Sequence, residues 1–132
     1  MQISFGKKIQ LTQCQIKDIE QNKFVPATFC EVDCEDKGDI LDIANLIGKW
    51  NFKSTIARNM QIKHDTLEIL PKEELPSFYI LQDNQGLILG ISQVKGEGKN
   101  LFVQFIESKS DNRHKYIGQV MLAAIALDII HR

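Results

Sequence analysis

The stretch LFVQFIESKSDNRHKYIGQVMLAAIALDIIHR, Leu101 to Arg132, decides how this chain is read. It opens on Leu101, Phe102, Val103, Phe105 and Ile106, a run of strand formers. It closes on a segment, Val120 to Ile130, that is apolar on nearly every face of a helix and so expects neighbours all round. Between them lies a polar turn carrying Arg113, His114 and Lys115, with Gly118 where the helix opens. A helix N-terminus presents unpaired N–H groups and the positive end of the macrodipole, so the order strand, cations, glycine, helix builds an anion site.

Working outward, Ser77 to Leu81 and Leu87 to Val94 are further strands, separated by the turn signal Asp83-Asn84-Gln85-Gly86. Gly96 to Asn100 turns the chain into the strand at Leu101, and Ile69 to Pro76 is a proline-bounded connector. Ile40, Leu41, Ile43, Ala44, Leu46 and Ile47 recur at helical spacing behind Asp39 as N-cap, with Gly48 ending or weakening that helix. A second, shorter helix is predicted over Ser54 to Ile62. Ala27 to Cys34 alternates as a first core strand after a break at Asn22 to Pro26, and residues 1–26 read as a hairpin-like N-terminal arm.

At 132 residues and 43% hydrophobic composition, the chain can bury one modest core. Its net charge of −1 lacks the global basic footprint of a nucleic-acid binder. No apolar run approaches the roughly 20 residues that span a bilayer, and the N-terminus does not read as a signal peptide. A cytoplasmic protein without membrane or nucleic-acid partners is therefore expected. Cys14, Cys30 and Cys34 have no zinc or redox spacing and read as reduced packing residues. An EF-hand register from Asp33 would put Lys37 at a ligand position and Ala44 where the bidentate glutamate belongs, which excludes a calcium loop.

The turn before the last helix resembles motif A of the GNAT superfamily of acyl-CoA N-acyltransferases, whose pyrophosphate loop reads Q/R-x-x-G-x-G/A between the fourth strand and the third helix. Arg113-His114-Lys115-Tyr116-Ile117-Gly118 gives one register, with Tyr116 in place of the first glycine. A second register starts from Lys115, with Gly118 as the first glycine and Val120 at the second. The resemblance covers about residues 27–132 and stops short of the family's fifth strand, fourth helix and closing strands. It implies an α+β fold, a mostly antiparallel mixed sheet flanked by helices, with the C-terminal strands missing: either a fragment or a shortened domain at 27–132.

The resemblance further implies acetyl-CoA or another acyl-CoA as cosubstrate and an amine as acceptor. Backbone groups of Ile106, Glu107 and Ser108 would pair with the pantetheine amides as an added strand does. Arg113, His114, Lys115, Tyr116, Ile117, Gly118 and Gln119 would form the diphosphate loop, with Arg113 and Lys115 neutralising charge. Glu107, at the strand end, is the candidate catalytic base. Six acids between Glu31 and Asp42 would draw a cationic amine, although acids at a helix N-terminus also suit the dipole. The alternative is a non-catalytic protein of this fold serving as a CoA-binding or interaction module. An uncovered strand edge and apolar helix predict a homodimer whose contact includes Met121, Ile125 and Ile129.

Overall fold

Five consecutive residues, Phe78 to Gln82, are buried, as in a strand covered on both faces. Around it the computed structural model describes residues 8–32, 37–50, 53–66, 76–97, 100–109 and 113–130. In chain order these form β1 (Lys8–Asp18), β2 (Lys23–Val32), α1 (Lys37–Trp50), α2 (Thr55–Thr66), β3 (Ser77–Asp83), β4 (Ile88–Glu97), β5 (Asn100–Ser108), β6 (His114–Lys115) and α3 (Ile117–Ile130). The architecture is α+β, with one six-stranded sheet in the order β5-β4-β3-β2-β1-β6. Every described ladder is antiparallel, so the mixed sheet expected from sequence is not seen among these strands.

Strand alternation divides the core into two layers. Phe78 and Ile80 of β3 face α1 and α2, packing with Ile40, Ile43, Ile47, Ile56 and Met60. Tyr79 and Leu81 face α3, packing with Phe29, Ile117, Met121, Ala124 and Ile125. Tyr79 stacks parallel on Phe29 at 5.4 Å between ring centroids, an aromatic contact that adds about 0.5–1.5 kcal/mol beyond area burial.

The link from β5 to α3 shows that the sheet curls. Lys109 donates its N–H to Leu89 O at 2.8 Å, so it still lies in the line of β5, while Arg113 O accepts from Ile19 N–H at 2.7 Å and already lies beside β1. In a flat sheet the outer strands β5 and β6 would stand about 24 Å apart at about 4.8 Å per strand spacing. The four steps from Lys109 to Arg113 span at most about 14 Å. The two edges therefore approach each other at this end, and α3 fills the concave face, touching both β1 and β5. Close seating needs Gly90 of β4, because a Cβ there would stand 2.8 Å from Ile117 Cγ2 and 2.8 Å from Met121 Cε.

Several local expectations change. Residues 8–18, read as part of an arm, pair along their length with β2 and are a strand of the sheet. The break expected at Asn22–Pro26 is confined to a turn at 19–22, with Asn22 at φ 51°, after which β2 begins at Lys23. α1 runs through Gly48, which faces open space and is tolerated inside the helix. Met121 and Ile125, expected on the surface of the last helix, are buried in the chain's own core; the outward face of α3 carries Leu122 and Leu127, both near half exposed. The side chain of Ile129 lies outside the described residues.

Two glycine substitutions test this packing with opposite signs. Gly90→Val forces α3 from the sheet and should lower unfolding stability by about 1–3 kcal/mol. Gly48→Ala fills open space on a helix and should raise it by about 0.5–1 kcal/mol. Urea denaturation followed by circular dichroism measures both.

Candidate functional site

Asp18 closes β1 at the mouth formed by the curled edges, and its carboxylate organises this end. Oδ1 accepts from the Gln21 N–H at 3.1 Å, fixing the β1–β2 turn, and Oδ2 accepts from Arg113 Nε at 3.1 Å. Glu20 Oε2 lies 3.5 Å from the same Arg113 nitrogen. Burial pushes the Asp18 carboxyl up, but the Gln21 amide, the Arg113 guanidinium and His114 outweigh it and hold the group below its usual value. The Arg113 guanidinium is raised by its hydrogen bond and charge pairing with Asp18.

His114 and Lys115, expected in a loop, pair with Asp18 and Lys17 as the two-residue strand β6. Tyr116 follows at φ 69°, the left-handed region that favours glycine, with its side chain half exposed. The backbone at Tyr116, the position that the first of the two registers gives to a glycine, thus adopts a glycine-like conformation. α3 then starts, with Val120 N–H donating to Tyr116 O at 2.9 Å. The N–H groups of Ile117, Gly118 and Gln119 belong to the first turn, where a helix supplies no partner of its own. A Cβ on Gly118 would meet nothing within 4 Å, so space is open at that turn. A polar cavity of about 280 Å³ adjoins the clamp, lined by Asp18, Lys23, Phe24, Asp83, Arg113 and His114 among others.

Across the mouth, β5 has β4 as its only ladder partner among the described strands, which leaves its other edge open at Ile106, Glu107 and Ser108. Ile106 packs toward the α3 side. Glu107 pairs with Ile91, a residue of the α1/α2 layer, and points to that opposite side. There its carboxylate accepts a hydrogen bond from Ser54 Oγ. Ser54 Oγ in turn accepts from Ala57 N–H at 3.0 Å and caps α2. The curl therefore brings the strand end and the α3 first turn to one mouth, while the Glu107 carboxylate lies on the other side of the sheet from the turn at Arg113–Gly118.

Asp18 and Ser54 were not singled out by sequence reading. Ser54 is the first residue of the predicted helix, where a serine is a recognisable cap signal, whereas nothing local announces that Asp18 meets Arg113, 95 residues away. Of the acidic segment, Asp33, Glu35 and Asp36 and the side chain of Asp39 lie outside the described residues; Glu31 is half-buried and Asp42 exposed. Burial and the nearby Cys30 push the Cys14 thiol up, which suits a packing thiol rather than a nucleophile. Cys34 lies outside the described residues. Among the described residues no group of three or more His, Cys, Asp or Glu side chains could hold a metal ion, and no helix is long and apolar enough to cross a membrane.

No protein-family profile, curated protein or solved structure matches this chain.

The Asp18–Arg113 clamp has a pH signature. A carboxyl whose folded pKa is depressed stabilises the fold above its unfolded value, about 3.9, and loses that contribution as pH falls through the folded value. Asp18→Asn should therefore destabilise the protein near neutral pH, and the gap to the native chain should close in acid below the folded pKa. Thermal melts across pH measure this gap; a constant gap would remove the charge from the explanation.

Proposed function

We propose that this chain is an acyl-CoA N-acyltransferase of the GNAT type, with acetyl-CoA as cosubstrate and an amine as acceptor. The observation that carries the reading is the mouth where the open end of β5 faces the first turn of α3 and the open side of Gly118. An extended pantetheine arm pairs with backbone groups of Ile106, Glu107 and Ser108 as an added strand would. The diphosphate rests on the N–H groups of Ile117, Gly118 and Gln119, with Lys115 and His114 beside it. Arg113, held by Asp18, acts here as a positioning residue that fixes the turn.

In the transfer, the amine nitrogen bonds to the thioester carbonyl carbon, the carbon–sulfur bond breaks, and the thiolate leaves to be protonated by solvent. Glu107, on the α1/α2 side of the strand end, takes the proton lost by the amine after releasing Ser54. The cofactor thus lies along the edge and the acceptor approaches from the α1/α2 side.

One observation favours a second reading, a non-catalytic interaction module. Phe102, Val103 and Phe105 of β5 are all substantially exposed along the same edge, an arrangement that accepts a peptide strand as readily as pantetheine.

Thermal shift with acetyl-CoA separates these. Saturating ligand should stabilise the native chain by about 2.7 kcal/mol at a concentration 100 times Kd. Gly118→Trp, at a position where a Cβ meets nothing within 4 Å, should abolish the shift, with the melting temperature of the free variant as the check on its fold. Glu107→Gln should retain the shift and lower kcat by about 10²–10⁴. A folded protein with no shift at millimolar acetyl-CoA overturns the reading in favour of the module.

A further inference from the structure

Asp83 closes β3, and the turn that follows is built on its carboxylate. Oδ1 accepts from the N–H groups of Gln85 and Leu87, both at 2.9 Å. Gly86, at φ 82°, donates its N–H to Asp83 O at 3.1 Å, and Gln82 Nε2 donates to Gly86 O at 3.0 Å. The carboxylate is thereby held in place through one oxygen, while Oδ2 has no hydrogen-bond or ion-pair partner among the described residues. Lys23 opens β2 and is exposed, and among the described residues no hydrogen bond or ion pair holds its ammonium.

Strand alternation puts these two charges on one face. Lys23 stands opposite Asp18 in the β1–β2 ladder, Asp83 stands opposite Ala27 in the β2–β3 ladder, and Lys23 and Ala27 are four residues apart on β2. Ala27 packs in the α3 layer, so both charged residues belong to the concave side of the sheet. There Lys23 and Asp83 line the polar cavity of about 280 Å³ together with Asp18 and Arg113. Arg113, raised chiefly by its hydrogen bond to Asp18, is raised also by the charge of Asp83, which therefore reaches it within this cavity.

The Asp, Lys and Arg side chains of the lining sum to no net charge, so the cavity suits a ligand that is neutral overall. Asp18 and Arg113 neutralise each other across their 3.1 Å contact. What remains is one ammonium and one carboxylate, whose backbones stand about 13 Å apart along β2 by the strand rise. That spacing keeps them from pairing with each other and leaves room for a small ligand between them.

We propose that this cavity binds a small zwitterion, an amino acid, with its carboxylate on the Lys23 ammonium and its ammonium on the Asp83 carboxylate. Because the turn already fixes Asp83, less ordering is lost on binding. The site stands apart from the acyl-CoA reading, which uses the end of β5 and the first turn of α3 and neither of these two side chains.

The test is isothermal titration calorimetry with glycine and with β-alanine, which differ in the separation of their two charges, against acetate and methylammonium, which carry one charge each. At constant ionic strength, saturable binding of at least one zwitterion is expected, about tenfold or more tighter than either single-charge ion. Lys23→Gln changes an exposed side chain, and Asp83→Asn keeps a side-chain oxygen to accept from Gln85 and Leu87. Each should weaken binding about tenfold or more. Melting temperatures check both folds, and Lys23→Gln decides alone if Asp83→Asn is unstable. Absence of saturable binding by both zwitterions, equal binding of acetate or methylammonium, or native affinity in a folded variant would overturn the proposal.

Discussion

Everything at the mouth of this molecule depends on α3 lying close against β4, and that closeness rests on the absent side chain at Gly90. With Ile117 and Met121 seated in that space, the helix reaches the bottom of the concave face and touches strands on both sides of it. A sheet holding an apolar helix in its concavity gains burial from each strand that curves toward it, so curl and packing support each other. The short crossover from Lys109 to Arg113 is the covalent counterpart of the same constraint, since it cannot span an uncurled sheet.

The electrostatics of the mouth follow from this geometry. The crossover delivers Arg113 to the end of β1, where Asp18 waits at the close of its strand, and a buried carboxylate with a cationic partner is stable where an unpaired one is not. The clamp holds the residues just before α3 in place, including Tyr116 in its left-handed conformation, which costs a non-glycine residue about 1–2 kcal/mol. Strain at one residue survives when its neighbours are held on both sides. Here β6 pairing precedes Tyr116 and the first α3 hydrogen bond follows it.

Glu107 illustrates how alternation along a strand assigns roles. Its neighbour Ile106 faces the α3 layer, and Glu107 therefore faces α2, where Ser54 receives it. The carboxylate that supports the cap of a helix is the one that the proposed reaction uses as its base. In the proposed reaction, the cap interaction and the proton transfer compete for one group, so the Ser54 contact sets how readily Glu107 acts as a base.

The sequence determined the elements themselves. The strand formers of Ser77–Leu81 and Leu87–Val94, the helical spacing from Ile40 to Ile47, and the strand–turn–helix order after Leu101 are local patterns, and each became the element it announced. The apolar wrap of the last helix announced neighbours all round, whereas one face, with Met121, Ala124 and Ile125, is buried and Leu122 and Leu127 stay exposed. Tertiary structure decided what local pattern does not encode. It made residues 8–18 a full strand, because pairing with β2 outweighs a loosely alternating sequence. It turned His114 and Lys115 from a loop into an edge strand, joined Asp18 to Arg113 and Gln93 to Gln104, and chose which side of the sheet Glu107 faces. Such contacts join residues far apart in the chain, and their energies arise only once the curl brings the strands together; periodicity, which reports neighbours a few residues away, carries no trace of them.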